Sequence, residues 1–235
     1  MPRRESHDLA VTKRTIVTDS KPASKTASAP DAGTATRHPL VGAVFVTGAA
    51  APEQLPAASV PEIAFAGRSN AGKSTAINVL AGRTRLAFAS RTPGRTQQIN
   101  LFSLRSGALV ADLPGYGYAA VGKELKRAWQ EFLWRYVTTR STLVALVLIV
   151  DARRGLGALD LELLQGFVPS GRPLLILATK ADKLNTTAKR AATAGIAHQL
   201  AAVFPLGVPD ANIVLFSATA RIGIDEAERV IAGWL

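Results

Sequence analysis

Apolar and polar positions change character near residue 38. Before it, Ser, Thr, Ala, Lys and Arg dominate, no aromatic residue occurs, and residues 18–39 show neither helical nor strand periodicity. Such a stretch cannot bury enough apolar surface to offset its ordering entropy, so residues 1–38 are expected to form a disordered, basic N-terminal extension. Residues 39–235 read as one domain of alternating elements. Short apolar runs predict strands over 62–66, 99–104, 108–112, 143–150, 174–179 and 212–216. Helical candidates lie between or after them, over 73–81, 123–138, 160–168, 188–203 and 225–235. Two of the strand runs are nearly continuous in apolar residues, as strands buried on both faces should be. The alternation predicts an α/β fold, a mostly parallel six-stranded sheet with helices on both faces. Ser106-Gly107 between the second and third runs predicts a hairpin, and hence one antiparallel strand.

Composition narrows the class. The 235 residues hold 48% apolar types, enough for one sizeable core. There is no cysteine, which excludes structural disulfides and thiolate metal sites among these residues. The apolar run 143–150 is too short to span a bilayer, which takes about 20 residues. No signal-peptide core or lipidation signal is legible, so a cytoplasmic protein without a membrane anchor is expected. The net charge of +11 favours polyanionic partners such as RNA, DNA or an anionic surface, or else marks a generally basic, solvated surface.

The strongest local signal follows the first strand: Gly67-Arg68-Ser69-Asn70-Ala71-Gly72-Lys73-Ser74, continuing to Thr75. It fits G-x-x-x-x-G-K-[ST] between a strand and a helix, the P-loop NTPase arrangement. Gly67 and Gly72 permit backbone angles that let successive N–H groups cradle phosphate oxygens. The helix starting near Lys73 adds the positive end of its dipole. Lys73 is expected to reach the β and γ phosphates and Ser74 to offer its hydroxyl to magnesium, a hard cation that prefers oxygen.

Choice of base needs a second segment. Thr179-Lys180-Ala181-Asp182 fits [NT]-K-x-D after an apolar strand. A carboxylate at Asp182 can accept two hydrogen bonds from guanine, whereas adenine would leave it unpaired. Ser217-Ala218-Thr219 follows Phe216 at the end of the last strand and resembles the S-A-x motif of GTPases, in which a backbone N–H, here that of Ala218, meets guanine O6. These segments lie at strand ends, where open α/β sheets bind ligands. Asp112-Leu113-Pro114-Gly115 ends the third strand; Asp112 is expected to hold magnesium through water and Gly115 to offer its N–H to the γ-phosphate. Thr96 is the expected switch threonine and a magnesium ligand, with Thr92 the competing assignment. A metabolic kinase or ATPase conflicts with Asp182.

Together these residues resemble the EngB/YihA family of bacterial GTPases. The matching text is Ala64-Phe65-Ala66 with the phosphate loop, Thr92-Pro93-Gly94-Arg95-Thr96-Gln97, Asp112-Leu113-Pro114-Gly115-Tyr116-Gly117-Tyr118-Ala119, and Thr179-Lys180-Ala181-Asp182-Lys183-Leu184. The resemblance implies a Ras-like sheet, GTP and GDP as ligands, magnesium as cofactor, and a nucleotide contact through Gly94, Arg95, Thr96, Gln97 and Gln98. It also implies a switch in assembly of the large ribosomal subunit and a need in normal cell division and septation. Ribosomal RNA or a large-subunit precursor is the expected partner, and a monomer is expected. An alternative is a nucleotide-regulated interaction protein at the division site.

Tyr116 occupies the position where Ras-like proteins carry a water-orienting Gln, so intrinsic hydrolysis is expected to be slow. Asn70 has two readings: the phosphate-loop Asn with which related GTPases hold a potassium ion, or a residue that shapes the loop. Arg83, Arg85, Arg91 and Arg95 flank the first switch. Lys123, Lys126, Arg127 and Arg135 follow the second, with Trp129, Phe132, Trp134 and Tyr136 interleaved at a spacing that favours core packing. Lys13, Arg14, Lys21, Lys25 and Arg37 give the extension a possible reading as an RNA-binding arm, beside that of a solvated tail. His7, His38 and His198 fall in no motif.

Overall fold

A computed structural model describes residues 38–87, 98–117 and 123–235, with the backbone alone at 123–126, 128 and 129. Gly94, Arg95, Thr96 and Gln97, the competing Thr92, and residues 1–37 lie outside the described residues. His38, assigned to the extension by its sequence, hydrogen-bonds the buried Glu228 carboxylate at 2.8 Å.

The elements run β1 (Val44–Ala49), β2 (Glu62–Gly67), α1 (Lys73–Leu80), β3 (Ile99–Ser103), β4 (Leu109–Asp112), α2 (Lys123–Thr139), β5 (Leu143–Asp151), α3 (Ala158–Phe167), β6 (Leu174–Thr179), α4 (Thr186–Val203), β7 (Ala211–Leu215) and α5 (Ile224–Ala232). The sheet has seven strands in the order β1-β3-β4-β2-β5-β6-β7, one more than the six expected. The added strand is β1, paired with β3 at the sheet edge. Its sequence VFVTGA gives no alternation to find: Val44, Phe45 and Val46 are all exposed, and a register shift falls between Phe45 and Thr47. Strand β3 runs against both neighbours, β1 and β4, and the other adjacent pairs are parallel. The expected single reversed strand is therefore present. The β3–β4 link is a three-residue loop rather than a two-residue one. Leu104 and Ala108 still pair through the Leu104 N–H (2.8 Å), and Gly107 takes φ +88°, the left-handed bulge position of such loops.

Alternation along the central strands divides the core into two layers. Ala64, Ala66, Leu146, Leu148, Leu174 and Ile176 face Leu133 and Val137 of α2, Leu164 and Phe167 of α3, and Ile196 of α4. Ile63, Phe65, Val147, Ile149, Leu175 and Leu177 face Ile77 and Leu80 of α1 and Ile224 and Ile231 of α5. With period two in the strands, each neighbour in sequence feeds the opposite layer, which is why the runs are almost wholly apolar. All six residues of β2 and of β6 are buried. The parallel strands all end toward the loops that carry the motifs.

Candidate functional site

The phosphate loop leaves the buried end of β2. At Gly67 a Cβ would lie 2.6 Å from the Ile149 carbonyl oxygen of neighbouring β5, so close strand packing requires glycine there. Gly72 stands at φ +104° as the residue before α1, where most side chains would strain the backbone. Asn70 also takes a left-handed conformation, φ +66°, which Asn adopts more readily than most residues. That conformation supplies a physical basis for its loop-shaping reading. The Ala71 N–H closes a turn onto the Arg68 carbonyl at 3.0 Å.

Two residues of the 179–182 segment grip this loop from outside. The Thr179 hydroxyl lies 2.5 Å from the Ala71 carbonyl and 3.0 Å from that of Val150. The Lys180 ammonium donates to the Asn70 carbonyl at 2.8 Å. Because a trans peptide points its C=O and N–H in opposite directions, holding the Ala71 carbonyl outward turns the Gly72 N–H the other way. The first N–H groups of α1 have no acceptor within the helix. Loop and helix thus present converging donors together with the positive helix end, an arrangement that binds anions.

Asp112, 3% exposed, ends β4 and pairs with the Lys73 ammonium. Leu113 is held by its N–H on the Phe65 carbonyl at 2.9 Å, and Pro114 follows, half-buried. The next residues lie against the phosphate loop: Ser69 donates its N–H to the Tyr116 carbonyl at 2.9 Å and its hydroxyl to the Gly115 carbonyl at 3.2 Å. The Tyr116 hydroxyl donates to the Asp160 carboxylate on α3 at 2.6 Å. Burial above all, then the Asp160 charge, raises the Tyr116 pKa well above the usual phenol value; burial likewise raises that of Asp160. Asp160 also accepts the Gly157 N–H at 2.7 Å, closing the N-terminus of α3. The phenol is therefore committed to α3.

At the far end of the site, the Ser217 hydroxyl donates to Asp182 at 2.7 Å, and the Lys183 ammonium lies 3.3 Å from the other carboxylate oxygen. The Ser217 bond, then Lys183, lowers the Asp182 pKa, so the side chain is an acceptor at neutral pH. Phe216 is buried and acts through its backbone: its carbonyl accepts the Ala181 N–H at 3.1 Å. Ser217 and Ile222 exchange two backbone bonds of 3.0 Å each, which fixes the loop containing Ala218.

The structure thus gathers Gly67 to Thr75, Asp112 to Gly115, Thr179 to Asp182 and Phe216 to Ala218 at one end of the sheet. Gln98 is different: its amide bonds Asn100 at 3.1 Å and packs over Gly48 of β1, and its described contacts include none with the phosphate loop. Two residues outside the motifs join the site. Asp151 ends β5 and takes Arg153 Nε at 2.9 Å, Arg153 Nη2 at 2.7 Å and Lys180 Nζ at 3.0 Å. Arg153, then Lys180, holds the Asp151 carboxyl well below the usual carboxylate range against the opposing effect of burial. A lone carboxylate closing a long apolar run was the available signal for Asp151.

The aromatic positions of α2 divide. Phe132 and Tyr136 are buried as expected, whereas Trp134 is 42% exposed and lies against Gly166 of α3. Arg127 and Arg135 are exposed on the same helix.

The chain resembles known proteins in sequence and in fold. A family model described as 50S ribosome-binding GTPase matches residues 62–180. The chain is 48% identical over 193 residues to a probable GTP-binding protein EngB of Azoarcus sp., covering 82% of this chain and 91% of that protein. A protein of the same description from Aromatoleum aromaticum is 51% identical over 181 residues, covering 77% and 82%. Among solved structures, a probable GTP-binding protein engB aligns with TM-score 0.56 and 26% identity over 72% of this chain and 96% of that one. Era in complex with MgGDPNP and nucleotides of 16S ribosomal RNA aligns with TM-score 0.54 and 20% identity over 75% and 57%, a likeness of fold.

Proposed function

Since the chain belongs to the 50S ribosome-binding GTPases, and among them to the EngB proteins that bind and hydrolyse GTP, we propose that it is a slow, magnesium-dependent switch in assembly of the large ribosomal subunit. Asp182 carries the guanine reading: it is ionised, held by Ser217, and stands at the sheet end that also bears the phosphate loop. In this reading Asp182 accepts from guanine N1 and N2, the Lys180 stem covers the base, and Ala218 meets O6. Lys73 and Gly115 serve the γ-phosphate.

Magnesium fits the residues present. Ser74 offers a hydroxyl at the start of α1, and the buried Asp112 carboxylate faces Lys73 beside it. Magnesium takes few protein ligands and keeps phosphate oxygens and waters. Held by Ser74 and, through water, Asp112, such an ion would supply positive charge against the phosphates. Thr96 completes the set in this reading.

Slow hydrolysis rests on Tyr116. Its hydroxyl is engaged by Asp160, so it is not free to orient an attacking water. If Asn70 recruits potassium to supply the missing charge, turnover is faster in potassium chloride than in sodium chloride at equal ionic strength; equal rates leave Asn70 its loop-shaping role.

Ribosomal RNA suits the net charge of +11 and the exposed Arg127, Arg135 and Trp134 of α2, which follows the D-x-x-G segment in the chain. The protein acts as a monomer in the cytoplasm in this reading, residues 1–37 add a basic extension in the sequence, and the need in division and septation belongs to the same function. Sedimentation of cell lysate tests it. Cosedimentation with a large-subunit precursor should rise with a nonhydrolysable GTP analogue and fall with GDP; the same distribution in both would refute the switch.

A further inference from the structure

Asp151 falls in none of the motifs, yet it stands between two of them. It closes the central strand β5, is 8% exposed, and sits level with Thr179 at the end of β6. Its Oδ1 accepts the Arg153 N–H at 3.1 Å and Arg153 Nε at 2.9 Å; its Oδ2 accepts Arg153 Nη2 at 2.7 Å and Lys180 Nζ at 3.0 Å. Lys180 spans onward to the Asn70 carbonyl at 2.8 Å, and its own backbone is left-handed, φ +59°.

A lysine has much rotamer freedom to lose, and a neutral carbonyl competes poorly with water for an ammonium. The half-buried Lys180 tip is instead shared by a carbonyl and an ionised carboxylate from different elements. Arg153 fills the remaining lone pairs of that carboxylate and keeps it from turning away.

We infer that Asp151 is a positioning residue for nucleotide binding: it holds the Lys180 ammonium against the phosphate loop, so that the stem expected to cover the base is set before the nucleotide arrives. Asp151 touches no nucleotide in this account and acts through Lys180. The inference rests on the guanine-site reading above. Preorganisation of this kind raises affinity by lowering the ordering cost of binding.

A double-mutant cycle tests it on the full chain, with release of fluorescent GDP and GTP as readouts. Asp151→Asn should weaken both nucleotides by about tenfold through faster release, the loss expected for one charge-assisted hydrogen bond. The preference for guanosine over xanthosine nucleotides should not move. On a Lys180→Ala background the same change should add almost nothing. A full, additive loss on that background would overturn the inference, because Asp151 would then act independently of Lys180. Should Asp151→Asn fail to fold, Arg153→Ala alters an exposed side chain and loosens the same carboxylate. It should speed release in the wild-type background and not beside Lys180→Ala; equal acceleration in both would again overturn the inference. Asp182→Asn separates the two readings. If it leaves base preference unchanged, the guanine assignment fails, while additivity in the cycle bears only on Asp151.

Discussion

Two carboxylates, each clasped by an arginine, sit at opposite ends of the adjacent strands β2 and β5. Glu62 opens β2, and Asp151 closes β5. Glu62 has no exposed surface; it accepts from Arg140 Nη2 at 2.5 Å, the Thr142 hydroxyl at 2.7 Å and the Tyr136 hydroxyl at 2.5 Å. Arg140 goes on to the Pro56 carbonyl at 2.9 Å, pinning the β1–β2 connection. Those donors all belong to the framework, and none of them reaches the phosphate loop in the bonds described. Asp151 uses similar chemistry, but one of its donors, Lys180, is shared with the phosphate loop. What separates a structural ion cluster from a functional one here is where the partners go next, not the kinds of residue.

The largest expected effect breaks the structural end. Glu62→Ala strands a partly buried guanidinium and should cost about 3–5 kcal/mol of unfolding free energy in denaturant melts. Nucleotide affinity of the folded protein should be preserved; a parallel loss would show that the two ends are coupled. Next comes the functional end. Ser74→Ala should weaken GTP binding in magnesium by about tenfold, or about 1.4 kcal/mol, with the nucleotide-free melting midpoint unmoved.

Tyr136→Phe sharpens the contrast and should cost about 1 kcal/mol at neutral pH. Burial first, then Glu62, raises the Tyr136 pKa well above 10.0. The unfolded chain therefore loses this proton first, so the stability it contributes is complete below about pH 10 and declines as pH rises toward the folded pKa. The variant should lose its share of that alkaline decline in pH-dependent melts. Asp151 has the opposite sign. Its lowered pKa contributes stability above the unfolded value of 3.8, lost as pH falls toward the folded pKa. Asp151→Asn should flatten the acid limb of the stability profile, and an unchanged limb would count against the ion pairs described.

Most of the framework was legible because apolar runs and phosphate-loop spacing are local signals. Strand β6 falls at 174–179 as its run predicts. The misses share a cause, dependence on contacts distant in sequence or on short-range caps. Edge strand β1 buries too little to show a pattern. Helix α3 begins at Ala158, two residues before Asp160, because Asp160 reaches back to the Gly157 N–H from inside the first turn. Helix α4 begins at Thr186 because Asn185 caps it through the Ala188 N–H at 2.8 Å. In the site, Asp182 and Ser217 were readable from motif order, but their bond joins residues 35 apart. Asp151 was invisible as a partner of Lys180, since only the pairing of β5 with β6 makes them neighbours.

Recognition of guanine depends most on Asp182. Titration of wild type and Asp182→Asn with GTP and XTP tests it directly. The wild type should prefer GTP, and the variant should lose GTP affinity by a factor of about ten or more while gaining XTP, since an amide can pair with xanthine where a carboxylate cannot. A variant that binds GTP as the wild type does would contradict the account.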